Sequence, residues 1–158
     1  VCQCTVYYDF GGSEIRKKKE NMKILLDTCI VIDFLQGREP FSEDAFALFR
    51  LMAKNTFTGL ISAKSVTDIY YLMKHCLHSE VETRKKISQL LEIVTVVDTL
   101  LGDVFKALAS EGKDYEDAVM METAYRMKVD GIVTRNRKDY KESLIKVYTA
   151  KELRTLLE

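Results

Sequence analysis

The stretch KILLDTCIVIDFL, Lys23 to Leu35, sets Asp27 in the middle of an apolar run and Asp33 near its end. Burying an unpaired carboxylate costs several kcal/mol, so this pattern calls for a partner or a cation. Lys23 to Leu26 reads as a short buried strand, and Thr28 to Gln36 as a helix that stops near Gly37 and Pro40. Asp27 is therefore expected where a strand ends and a helix begins.

The same alternation continues along the chain. Ser42 caps a helix reaching about Asn55, with Ala45, Leu48, Phe49 and Met52 on one face. Thr58 to Ser62 predicts a second short strand, and Val66, Ile69, Tyr70 and Met73 mark a helix ending around His78. Ser79 with Glu82 is a capping box for a helix from Val81 to Glu92. Ile93 to Val97, dense in β-branched residues, predicts the third strand. Helices over Thr99 to Ser110 and Tyr115 to Lys128 follow, then a strand Gly131 to Thr134, a polar loop, a strand Ile145 to Tyr148, and a helix capped by Thr149 with Glu152. Short strands separated by helices and apolar on both sides need crossover connections. They predict a parallel sheet covered on both faces, an α/β fold.

In open sheets of this kind ligands bind beyond the carboxyl ends of the strands. Asp27 ends the first strand, Asp68 follows the second by one helical turn, Asp114 and Asp117 open the helix before the fourth, and Asn136 and Asp139 lie in the loop after it. Three carboxylates about 5 Å apart would repel by roughly 3 kcal/mol per pair at an effective dielectric of about 20. Hard oxygen donors without histidine or thiolate suit Mg2+ or Mn2+, and metal-assisted phosphodiester hydrolysis is the matching chemistry. Each acid also has a structural reading. Asp27 could be an N-cap, and Ser65 with Asp68 and Asp114 with Asp117 have capping-box spacing. The coincidence of several acids at one sheet edge favours a site. Asp33, one to two turns beyond Asp27, is expected to support it or to face solvent.

Four segments, MKILLDTCIVIDFL, ISAKSVTDIYYL, DYEDAVMMETA and IVTRNRKDY, resemble in order and spacing the motifs of the PIN-domain family, which includes the VapC-type toxins. The resemblance covers Met22 to the C-terminus. It implies a three-layer α/β/α fold with a five-stranded parallel sheet in order 3-2-1-4-5 and a Mg2+- or Mn2+-dependent ribonuclease site. Asp27 matches the first acid, Thr28 the hydroxyl residue after it, Asp68 the second acid where glutamate is commoner, and Asp117 the third. Thr134 matches the hydroxyl residue before the fourth acidic position, where Asn136 stands in place of aspartate. TRNRKDY is similar to one subgroup in which asparagine is usual there, so Asn136 is expected to orient water, and Asp139 to replace the lost charge. The metal set is thus Asp27, Asp117, Asp68, Asp114 and Asp139. The resemblance also implies an antitoxin protein as partner, and a homodimer is expected.

Composition limits the other possibilities. Twenty-four Lys and Arg balance 24 Asp and Glu in 158 residues, so nucleic-acid binding must come from a local patch. Arg135, Arg137, Lys138 and Lys141 offer one beside the acids, with Thr28 a further substrate contact. Arg84, Lys85 and Lys86 read as an ordinary exposed face. Cys2, Cys4, Cys29 and Cys76 form no CxxC pair, and no apolar window approaches a membrane span. A cytoplasmic protein without membrane contact is expected. Residues 1–21, with a Gly-Gly break and the basic run Arg16 to Lys19, read as a leader, tag or upstream extension before a domain of residues 22–158. His75 and His78, three apart on a helix, lack a third ligand nearby. Tyr70, Tyr71, Met73, Leu77, Leu90 and Leu91 exceed what one core face needs and suggest a partner surface.

The leading expectation is a metal-dependent endoribonuclease acting on single-stranded or structured RNA. A catalytically silent scaffold binding RNA or protein is the alternative that Asp68 and Asn136 favour. A phosphatase using Asp27 as nucleophile would want a second aspartate where Cys29 stands, and dinucleotide binding would want a glycine cluster after the first strand.

Overall fold

The computed structural model describes residues 22–110, 114–141 and 143–158; the expected leader, 1–21, lies outside the described residues. Five strands, β1 (Lys23–Leu26), β2 (Thr58–Ser62), β3 (Thr95–Val97), β4 (Gly131–Val133) and β5 (Val147–Tyr148), pair in parallel in the order β3-β2-β1-β4-β5. The expected strand order is the observed one. Seven helices connect and flank them: α1 (Thr28–Gln36), α2 (Ser42–Ala53), α3 (Ala63–Leu77), α4 (Glu80–Leu91), α5 (Leu101–Ala109), α6 (Tyr115–Met127) and α7 (Ala150–Leu157).

The alternation of side chains along β1 divides the core. Ile24 and Leu26 point to one layer, with Ile30, Val31, Leu48, Phe49, Ile69, Met73, Leu90 and Leu153 of α1 to α4 and α7. Leu25 points to the other, with Leu60, Ile132 and the α5 and α6 residues Ala107, Ala118, Met120, Met121 and Ala124. β1 is buried on both faces because parallel crossovers lay helices over each. Leu25 sits level with Leu60 on one side and Ile132 on the other, which aligns the carboxyl ends of β1, β2 and β4. Gly37 ends α1 with φ 62, a left-handed cap that a Cβ would strain, and its N–H bonds the Asp33 carbonyl.

Several boundaries differ from expectation. Ile93 and Val94 belong to the turn leaving α4, their N–H groups bonding the Leu90 carbonyl, so β3 starts at Thr95. Ser143 ties up both the N–H and the carbonyl of Ile145, which shortens β5 to Val147–Tyr148. α3 begins at Ala63, capped by Ser62, whose Oγ accepts the Ser65 N–H at 3.0 Å. The capping-box reading of Ser65 with Asp68 is therefore wrong. The polar loop after β4 holds a 3-10 turn, Arg137–Tyr140, that buries Tyr140.

The proposed partner surface also changes. Met73 and Leu90 are core residues, while Tyr71 and Leu91 are exposed. A more continuous apolar face lies on α5, where Leu101, Phe105 and Leu108 are 69%, 62% and 62% exposed. No helix among the described residues is long and apolar enough to cross a membrane.

Candidate functional site

Asp27 leaves β1 as the N-cap of α1. Its Oδ1 accepts the Cys29 N–H at 3.4 Å and its Oδ2 the Thr134 hydroxyl at 2.6 Å. Thr134 lies just past β4, is fully buried, and accepts the Asn136 N–H at 3.0 Å. β1 and β4 are adjacent, so their ends bring residues 107 positions apart into one chain of hydrogen bonds. The Cys29 thiol also donates to Asp27, at 3.3 Å. Burial first, and the Asp27 charge second, push that thiol up to about 11, so it stays protonated and serves as a donor.

Asp117 lies in the first turn of α6, whose N-cap Asp114 accepts the Glu116 and Asp117 N–H groups through Oδ1 at 2.9 and 3.2 Å. Asp114 thus is a cap, while Asp117 faces inward, where the buried Tyr140 hydroxyl donates to its Oδ1 at 2.9 Å. Burial raises the Asp117 carboxyl to about 6; the Tyr140 hydrogen bond opposes that, and the charges of Asp27, Asp114 and Asp139 add to it. Four of the five expected metal-site acids therefore share one electrostatic field. Asp139 in turn accepts the Asn136 side-chain amide. Tyr140 was not anticipated, although it closes the quoted TRNRKDY segment; a large aromatic in a polar loop was the available signal.

Asp68 stands apart from these contacts. Lys64 pairs with it at 2.6 Å and with Glu116 at 2.6 Å, joining the first turns of α3 and α6. Among the described residues, no three His, Cys, Asp or Glu side chains are gathered as a ready-made metal cage. A Mg2+-type ion does not need one, since it binds through one or two carboxylates and keeps its waters. Asp27 and Asp117 fit that demand in donor chemistry. Thr28 adds a buried hydroxyl oxygen without a hydrogen-bond partner, beside Asp27.

The expected basic loop is more committed than its sequence suggests. Arg137 pairs with Glu152 at 2.8 Å, while Lys138 and Lys141 are exposed and enter no ion pair among the described residues. Arg135 turns inward: its Nε lies 3.2 Å from Asp33 Oδ2 and its Cζ 4.6 Å from the centre of the Phe41 ring. Asp33 is 0% exposed, which rules out the solvent-facing of its two expected places. Burial raises its pKa; Arg135 and Arg38 pull it back, and Asp27 adds to the rise.

The PIN domain profile matches residues 23–138. Ribonuclease VapC1 of Aquifex aeolicus (strain VF5) is 25% identical over 140 residues, spanning 82% of this chain and 92% of that protein. A toxin-antitoxin complex from Klebsiella pneumoniae contains a chain with 23% identity and a TM-score of 0.60, covering 80% of this chain and 97% of that one. VapC20 of Mycobacterium tuberculosis, a sarcin-ricin loop cleaving toxin, has 11% identity and a TM-score of 0.61 over 78% of this chain and 98% of that one.

Proposed function

Because the chain belongs to the PIN domain family, we propose that it is a divalent-metal-dependent endoribonuclease and the toxin of a toxin-antitoxin pair. The observation that carries this reading is that the segment leaving β4 supplies a hydroxyl to each of two acids, Thr134 to Asp27 at 2.6 Å and Tyr140 to Asp117 at 2.9 Å, with burial and the charges of Asp27, Asp114 and Asp139 raising Asp117. Separate helix caps would not need hydroxyls from one segment to meet Asp27 and Asp117. The names of the relatives add support: one is a ribonuclease, another a toxin that cleaves the sarcin-ricin loop.

Asp27 and Asp117 would hold Mg2+ or Mn2+, which when bound would supply acidity for a water and offset charge on a phosphate. The chain's own residues prepare that edge. The Thr134 and Tyr140 hydroxyls each fix one carboxylate and leave lone pairs for a cation. The Asn136 amide donates to Asp139 and is assigned the role of orienting water, and Lys138 that of offering a charge to the RNA backbone. Asp68 joins the metal set only after leaving Lys64. The exposed apolar face of α5 supports a protein partner, for which we name the antitoxin and a second copy of the chain.

RNA cleavage with Mg2+ or Mn2+, set against excess chelator, tests the reading. Cleavage that stops with chelator and is lost in Asp27→Asn supports it, and cleavage that persists in chelator removes the metal role. No cleavage under any of these conditions, with partner binding intact, would favour the silent scaffold that Asp68 and Asn136 allow.

A further inference from the structure

We propose that Asp33 is a positioning residue: it fixes the Arg135 guanidinium beside the acidic edge as a pre-oriented contact for an RNA phosphate. The phosphate rests on the nuclease reading above; the pairing does not.

Asp33 sits on α1 among the buried residues Ile30, Val31 and Ile32, and neither of its carboxylate oxygens makes a hydrogen bond. Arg135 stands close enough for an ion pair, yet out of line for a hydrogen bond. An apolar side chain in such a place commonly serves stability as well or better, so the carboxylate must serve something else. What it touches is Arg135. That side chain is held from two directions, by Asp33 at Nε and by the Phe41 ring against its face; it also lowers the Cys29 thiol pKa against the larger rise from burial. Cys29 and Asp33 are four residues apart and so share one face of α1. Arg135 directly follows Thr134, whose hydroxyl lies 2.6 Å from Asp27 Oδ2, so it leaves the chain beside the first acid of the site.

A guanidinium is a planar fork, and anchoring its Nε edge and one ring-facing side leaves the outer edge for a bidentate anion. The Arg135 side chain is 33% exposed, enough for that edge. Neighbouring cations are placed differently: Arg137 is engaged by the surface residue Glu152, and Lys64 by Asp68 and Glu116. A cation already fixed by an inward partner loses little freedom when a phosphate arrives.

The test compares parent, Asp33→Asn, Arg135→Met, the double variant and Arg135→Lys. In Asp33→Asn, kcat/KM for RNA is expected to fall by about tenfold, carried mainly by KM. In the Arg135→Met background the same change should matter by less than about twofold, because Asp33 then has nothing left to position. Arg135→Lys keeps the charge without the fork and should not restore the parent KM. A purely structural role would lower the active fraction and hence kcat, leaving KM alone. The second readout needs no nuclease activity: iodoacetamide labelling resolved by mass spectrometry should speed up at Cys29 by about tenfold in Asp33→Asn, with Cys76 unchanged. If the parent cleaves no RNA, the nuclease reading fails while the labelling still decides the pairing. Should Asp33→Asn not fold, Arg135→Met takes its place, with the same rise in KM and in Cys29 labelling expected. Parent-like KM, unchanged Cys29 labelling, or a full further loss from Asp33→Asn in the Arg135→Met background would overturn the proposal.

Discussion

Among the described residues two aspartates lie buried, each facing an arginine, and they live differently. Asp103, 2% exposed at the start of α5, accepts the Leu100 N–H, the Thr123 hydroxyl and the Arg126 guanidinium through both oxygens, at 2.9 to 3.2 Å. Burial works against its charge, but those hydrogen bonds and Arg126 win, and its pKa falls below the usual carboxylate range. Asp33 has a single ion pair and no hydrogen bond, and its pKa rises. The first is a joint between α5 and α6, complete in itself. The second is under-satisfied and stands beside the carboxyl edge where the acids gather. Buried charge that the fold fully satisfies marks architecture, and buried charge that it does not satisfy marks a place kept for something else.

The largest effect should come from breaking the complete joint. Asp103→Asn leaves Arg126 without its charge partner and Leu100 and Thr123 without an acceptor of the same strength. We expect a loss of about 3 kcal/mol in urea unfolding. Its stabilising contribution should be present above the unfolded value of 3.8 and fade as pH falls through the depressed folded pKa. A loss well under about 1 kcal/mol would place Asp103 with Asp33 and dissolve the contrast.

Asp117 carries the opposite sign. Its folded pKa of about 6 exceeds the unfolded 3.8, so between those values the native state binds more protons. Stability of the metal-free protein should therefore fall as pH rises from about 4 through 6, where Asp103 contributes a level term. Asp117→Asn keeps an acceptor for the Tyr140 hydroxyl and removes the charge. It should make the metal-free protein more stable at pH 7, on the order of 1 kcal/mol once solvent screening at this half-open edge is allowed for, and flatten the pH dependence. Mg2+ should then stabilise the parent and leave the variant unmoved. A variant that is less stable and still responds to Mg2+ would make Asp117 a cap.

Hydrophobic period and end-of-strand position are local facts, so the strands, the parallel α/β class and the acids at the strand ends were legible in the sequence, whereas the strand order came from the resemblance to the PIN-domain motifs. Asp27 and Asp117 were legible in this way, and Thr134 only through the resemblance. Tyr140 on Asp117, Arg135 on Asp33 and Lys64 between Asp68 and Glu116 were not, since each depends on how a side chain turns once helices dock. Asp33 stayed open between a supporting and a solvent-facing place for the same reason: position 33 is helical in sequence, but only the docking of α1 decides that it faces inward. Boundaries missed by two residues, as at β3 and β5, reflect helix-exit and serine hydrogen bonds that override β propensity.

The smallest expected effect is the one that most directly separates the two aspartates. Asp33→Asn removes a charge whose burial already disfavours it, so the transfer cost is recovered. It also removes the attraction of Arg135 and Arg38, so that gain is lost in turn. What makes removal of one partner severe elsewhere is the uncompensated charge left behind. Arg126 and Arg135 are similarly exposed, at 28% and 33%, so the difference lies in the hydrogen bonds: Asp103→Asn weakens those from Leu100, Thr123 and Arg126, whereas Asp33→Asn has none to lose. The two terms should nearly cancel, and urea unfolding at pH 7 should shift by less than about 1 kcal/mol in either direction. Because the Asp33 pKa is raised in the native state, any stabilisation by the variant should shrink as the pH is lowered and the parent carboxylate takes up its proton. A loss equal to that of Asp103→Asn would mean that Asp33 is a structural joint as well, and that its missing hydrogen bonds carry no functional meaning.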